Sequence, residues 1–221
     1  MPTARLTYRN ANRHRETAEG QGCLSGFALP PLMALVVGIS FLIFLGKFAP
    51  DSSSPGTNLV PKDFSAGEES HSISPIFTPE IQFWENQILR WAAEYNLDPN
   101  LVATVMQIES CGNPEARSSA GAMGLFQVMP FHFAALDNPY DPDTNARRGM
   151  AYLQRSLIAA EGNAGLAMAG YNGGISVISK PQNQWAEETQ RYIYWGTGIY
   201  SDAAAGAAES ARLNEWLSRA S

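Results

Sequence analysis

Residues 22–46 carry no charged side chain, and the run PLMALVVGISFLIFLG at 31–46, with the apolar residues ahead of it, covers the roughly 20 residues that a bilayer-spanning helix needs. A core helix of that length should keep one polar face, and this run has none. Arg5, Arg9, Arg13 and Arg15 crowd its near side while Lys47 stands at its far end, so the positive-inside tendency puts the N-terminus in the cytoplasm. A cleaved secretory signal would need small residues before its cleavage point, which GKFA at 46–49 does not offer. The expectation is therefore a basic cytoplasmic tail at 1–23 and a retained single-pass transmembrane anchor at 24–48, with everything after it extracytoplasmic.

The remaining chain divides by composition. Residues 49–78 are rich in Ser, Pro, Gly and acidic side chains, too poor in aliphatics to offset their own ordering entropy, and read as a flexible linker. After Pro50 the chain holds ten Lys or Arg against nineteen Asp or Glu. That acidic balance leaves no basic stripe to follow a phosphate backbone, so no nucleic-acid partner is expected. The two cysteines, Cys23 and Cys111, fall on opposite sides of the expected membrane, and no disulfide framework is implied. His14, His71 and His132 are too scattered for a metal site, and no cofactor is expected.

From Pro79 onward apolar residues recur at helical spacing and no period-two run of β-branched residues appears, which predicts a mainly α domain. Candidate helices are 79–95, 99–110, 124–133, 144–160, 164–171, 187–194 and an amphipathic one at 202–219. Asp98 before Pro99 is a good start signal, an N-cap acceptor followed by a residue whose missing N–H costs nothing in a first turn. In the helix after it, Leu101, Val105 and Ile108 form one apolar row and Val102, Met106 and Glu109 the next. Glu109 thus projects from an apolar flank in the last turn, where desolvation and the helix dipole both raise a carboxyl's pKa. That is what a general acid requires. On position alone, a solvated helix-end glutamate is the simpler account.

The surrounding motif reverses that preference. The segment QIESCGNPEARSSAGAMGLFQVMP at 107–130 resembles the signature of the soluble lytic transglycosylase family, relatives of goose-type lysozyme. Further on, Asn145, Gly149, Tyr152 and Leu153 look like that family's middle helix, AGYNGG at 169–174 like its Ala-Tyr-Asn-Ala-Gly motif, and Glu188, Thr189 and Tyr192 like its late Glu-Thr-x-x-Tyr element. The resemblance covers about residues 80–196, with the motifs in the family's order.

It implies a lysozyme-like helical domain at 79–200, followed by a C-terminal amphipathic helix at 201–221, acting on peptidoglycan glycan strands. The bond cut would be the β-1,4 link between N-acetylmuramic acid and N-acetylglucosamine. Glu109 would act as acid and then as base, so that a 1,6-anhydromuramoyl end forms and no second carboxylate is needed. Substrate-binding roles are expected for Ser110, Met123, Gln127, Tyr171, Asn172 and Tyr192. Four of them have a plainer account: Ser110 bonding its own backbone, Tyr171 and Asn172 marking a turn, Tyr192 closing the core. Gly170 and Gly173 stand where alanines are usual and should loosen that loop. The rival readings are a goose-type hydrolase whose second carboxylate is Asp137, Asp141 or Asp143, and a non-catalytic glycan-binding or assembly module. A Cys111 thiol nucleophile with His132 or His71 has no supporting spacing, and protein partners are not indicated.

Overall fold

The computed structural model describes residues 72–220. The expected basic tail, the expected span at 24–48 and all but the last residues of the expected linker lie outside them. Among the described residues no helix is long and apolar enough to cross a membrane.

The described chain is mainly helical, as its periodicity predicts. Its helices are α1 (Pro79–Gln82), α2 (Glu85–Tyr95), α3 (Pro99–Ser110), α4 (Pro142–Ala159), α5 (Ala164–Gly173), α6 (Glu187–Ala204) and α7 (Ala211–Ala220). Extended pairing among the described residues is confined to isolated bridges, Arg117 to Met123 and Met123 to Val128.

Helix α3 is the centre of the packing. Every residue from Leu101 to Ile108 is buried, Thr104 and Gln107 included, so this helix has no solvent face. The two polar side chains of that buried stretch are satisfied: the Thr104 hydroxyl donates to the Asn100 carbonyl at 2.7 Å, and Gln107 Oε1 accepts the Thr78 N–H at 3.2 Å. Asp98 caps the start, accepting the Asn100 N–H at 2.7 Å. Cys111 ends the helix in the left-handed region at φ 50. Helices α2 and α6 pack against α3, and α4 and α5 complete the bundle.

The structure departs from the expected elements in instructive places. The helix expected at 79–95 breaks at Phe83 and Trp84, which lets the Trp84 indole N–H donate to the Gly112 carbonyl at 2.9 Å. Gly112, at φ +76, must be glycine there, since an added Cβ would meet the Glu80 carbonyl oxygen at 2.9 Å. No helix forms at 124–133. Gln127 lies at φ 44, Met123 and Val128 exchange two backbone hydrogen bonds at 3.0 Å each, and only Pro130–His132 forms a single 3-10 turn.

The packed region begins earlier than the linker boundary at 78 allowed. Ile73 and Phe77 are both 3% exposed, and the Ser74 N–H donates to Asn100 Oδ1 at 2.8 Å. Ile76 packs against the same core, so three apolar side chains seat this short segment. At the other end α6 runs on to Ala204, and the helix expected from 202 starts only at Ala211. Ser210 makes that boundary: its hydroxyl donates to Asp202 at 2.6 Å and accepts the Leu213 N–H at 3.1 Å. Leu213 and Trp216 are buried, so α7 packs on α6. Cys111 is buried at the end of α3, its Sγ 3.3 Å from the Gln107 carbonyl oxygen. The chain's other cysteine, Cys23, lies outside the described residues.

Candidate active site

The site is assembled from the C-terminal end of α3, the turn at 122–129, and one face each of α4, α5 and α6. Glu109, in the last turn of α3, is only partly exposed. Tyr192 comes from α6 and donates its hydroxyl to Glu109 Oε1 at 2.8 Å. The same helix holds the other end of α3, where the Tyr200 hydroxyl donates to Asp98 at 2.9 Å. Burial pushes the Glu109 carboxyl up to about 8 from its ordinary 4.5; the Tyr192 hydrogen bond opposes the rise, and the negative charge of Glu188 adds to it. At neutral pH the group therefore keeps its proton.

The turn beside it is fixed by two polar side chains. Ser110 is buried, and its hydroxyl donates to the Leu125 carbonyl at 2.7 Å and accepts the Gly112 N–H at 3.2 Å. That places Ser110 behind the carboxyl, tying α3 to the turn. Asn145 of α4 is 1% exposed and makes three bonds to backbone: it accepts the Phe126 N–H at 2.9 Å and donates to the carbonyls of Met123 at 2.7 Å and Pro139 at 2.9 Å.

The turn in turn orients Tyr171, whose hydroxyl donates to the Phe126 carbonyl at 2.7 Å. Gly149 on α4 makes this contact possible, because a Cβ there would stand 2.8 Å from Phe126 Cβ and 3.2 Å from the Tyr171 hydroxyl. Asn172 Oδ1 accepts the Thr189 hydroxyl at 2.8 Å and so joins α5 to α6. The glycines of that motif do not loosen a loop. Gly173 belongs to α5 and a Cβ on it would lie 2.7 Å from Thr189 Oγ1, while one on Gly170 would lie 2.7 Å from Ile178 Cδ1. Close helix packing, with no room for the usual alanines, is what they serve.

Next to Tyr171 opens a cavity of about 360 Å³, walled among others by Gln127, Met129, His132, Tyr152, Tyr171 and Asn172. Tyr171 lines this cavity, and its phenol pKa is raised well above its ordinary value of 10 by burial and then by the charge of Glu109. Gln127 reaches the cavity, but its side-chain nitrogen is spent on the carbonyls of Ala116 at 3.2 Å and Gly124 at 3.0 Å. Met123 is half-buried and is not among the residues that wall the cavity. Sequence reasoning left out Phe131, His132, Tyr152 and Arg148 as binding residues, although all four line the cavity. The available signal was the pair of aromatic rings directly after the Met-Pro of the motif.

A carboxyl kept protonated at a helix end and braced by a phenol is the arrangement that general-acid chemistry requires. Residues 86–193 match the Transglycosylase SLT domain. The chain is 42% identical over 114 residues to a transglycosylase of Enterobacteria phage PRD1, a match covering 51% of this chain and 40% of that relative. It is 29% identical over 132 residues to the membrane-bound lytic murein transglycosylase E of Buchnera aphidicola subsp. Acyrthosiphon pisum, covering 51% of this chain and 60% of that one. A solved structure, lytic transglycosylase Slt from Pseudomonas aeruginosa, aligns at 25% identity and a TM-score of 0.45 over 55% of this chain and 24% of that chain, too partial an overlay to bear on the fold. The likeness to lytic transglycosylases thus runs through residues 86–193, just under half of the chain. It spans 40% and 60% of the length of the two curated relatives named.

Proposed function

We propose that the protein is a lytic transglycosylase of peptidoglycan, with a lysozyme-like catalytic domain and Glu109 as its acid and base. The observation that carries this is a glutamate held protonated to about pH 8 in the last turn of a buried helix. The protonated carboxyl gives its proton to the glycosidic oxygen as the bond from that oxygen to C1 of the muramoyl sugar breaks. The resulting carboxylate then takes the proton of the C6 hydroxyl while O6 bonds to C1. Glu109 ends as it began, no water is consumed, and the product carries a 1,6-anhydro ring. The muramoyl N-acetyl group is assigned the part of stabilising the positive charge that develops at C1.

The engagement of the three candidate second carboxylates supports this over hydrolysis. Asp137 is held by Arg147 at 3.1 Å and by Arg148 at 2.7 Å, Asp141 caps α4 through the Thr144 N–H at 3.0 Å, and Asp143 takes Arg90 at 2.6 Å and the Trp91 indole at 2.9 Å. Each is committed to the fold, so none is poised to activate a water. Digestion of purified peptidoglycan followed by mass spectrometry tests the assignment: the expected muramoyl ends are one water lighter than reducing ends. Reducing ends alone would assign a hydrolase.

Within the site, Gln127, Tyr171 and Asn172 are assigned to substrate, Met123 to the turn that carries Gln127, and Ser110 and Tyr192 to holding the acid. The Tyr192 bond favours the carboxylate form. Tyr192→Phe is therefore expected to raise the pKa of Glu109 and move the basic limb of the pH–rate profile upward. A limb that stays in place or moves down would show that this hydroxyl does not tune the acid.

The protein is further assigned to a membrane, anchored by residues 24–48 with its N-terminus cytoplasmic and the catalytic domain facing the wall. Uncharged residues 22–46 and the printed names of relatives such as lytic murein transglycosylase E support this placement. Full-length protein is expected to stay with membranes through an alkaline carbonate wash, and its release by that wash would refute the anchor.

A further inference from the structure

Phe131, His132, Tyr152 and Tyr171 form one continuous aromatic strip. Ring centroids are 4.5 Å apart from Phe131 to His132, 5.1 Å from His132 to Tyr152 and 5.8 Å from Tyr152 to Tyr171. All four line the cavity. The inner end, Tyr171, is bonded to the turn beside Glu109; the outer end, Phe131, is 74% exposed. Leaving a phenyl ring in water forgoes its burial, and a lone exposed ring needs no explanation. Phe131 is not alone, because it continues a cavity wall out to the surface.

The outer end of the strip is also built to stay in place. Phe131 and His132 ride on a 3-10 turn opened by Pro130. The loop behind it is closed by Asp137, which accepts the Ala134 N–H at 3.0 Å and is clamped to α4 by Arg148 at 2.7 Å. The Ala134 N–H and the two arginines hold the Asp137 carboxyl below its ordinary pKa, so the clamp stays charged at neutral pH. Arg155 lies over the Tyr152 ring at 5.2 Å and covers that face, which leaves Phe131 and His132 as the open surfaces.

We propose that Phe131 and His132 form an outer sugar platform, receiving a pyranose of the glycan strand beyond the pair that flanks the scissile bond. The proposal rests on the reading of Glu109 as a glycan-cleaving acid. The occupant is argued from ligand chemistry. A pyranose offers an apolar face for an aromatic ring and a polar rim for groups such as Asn172 along the cavity edge. An acidic stem peptide is disfavoured because Arg148, the cation in the cavity wall, is already neutralised by Asp137.

The test uses full-length protein in detergent carrying Glu109→Gln to stop turnover, with N-acetylglucosamine oligomers as calorimetric probes. Adding Phe131→Ala is expected to weaken hexasaccharide binding about tenfold, to leave disaccharide binding unchanged and to leave the thermal midpoint unchanged. Phe131→Trp should restore the loss. An unchanged hexasaccharide affinity overturns the platform, as does equal weakening for both oligomers. A loss seen only with peptide-bearing strands would give the strip to the stem peptide and overturn it too. If the Glu109→Gln parent binds neither oligomer, the glycan reading itself falls and takes the platform with it.

Discussion

Glu109→Gln is expected to lose strand cleavage by a factor of about 10² to 10⁴ and, at the same time, to be more stable than wild type above neutral pH. The catalytic loss follows because an amide has no proton of useful acidity, while its shape and its Tyr192 contact at Oε1 are retained. The gain in stability follows from linkage. Well below pH 4.5, the glutamate is neutral in both folded and unfolded chains. Between 4.5 and about 8 the unfolded side chain ionises and the folded one does not, so wild-type stability falls as pH rises through that window and levels off above it. The whole displacement from 4.5 to about 8 corresponds to about 5 kcal/mol, which the partial exposure of Glu109 reduces to about 2 to 3 kcal/mol. Chemical denaturation of both proteins at pH 4.5 and pH 8.5 measures it. Identical differences at the two values would mean that the carboxyl is solvated and ordinary, and the acid assignment would go with it.

The second large effect is structural. Asn145→Ala should destabilise the domain by about 3 to 4 kcal/mol, because it strands three backbone groups that its amide pairs in a site only 1% exposed to water. The thermal midpoint should fall by about 10 °C. Activity should fall further than stability accounts for, since the Phe126 carbonyl that positions Tyr171 belongs to the same turn. A midpoint within about 2 °C of wild type would show that the turn is held by other means.

What could be read in advance follows from how local each signal is. The Asp98-Pro99 start, the span of α3 and the apolar flank of Glu109 depend on neighbours within a few residues, and the structure reproduces them. The elements that differ are those decided across the fold. Trp84 breaks a helix to reach a carbonyl 28 positions away, and Ile73 and Phe77 join a core that only later helices create. Gln127 adopts φ 44 inside what periodicity treats as a helix, because the Met123 and Val128 backbones pair around it. Ser110 shows the same limit at the site. Its neighbour Glu109 suggests a place beside substrate, yet its hydroxyl is claimed by Leu125 from the far side of a turn. The aromatic strip escaped for a related reason: Phe131 and His132 meet Tyr152 and Tyr171 only when α4 and α5 come together.

Tyr192 lies 83 positions after Glu109, and Glu188, which also weighs on that carboxyl, shares its helix. A chain cut short before α6 lacks both, so the surroundings of this carboxyl are complete only once α6 has folded against α3.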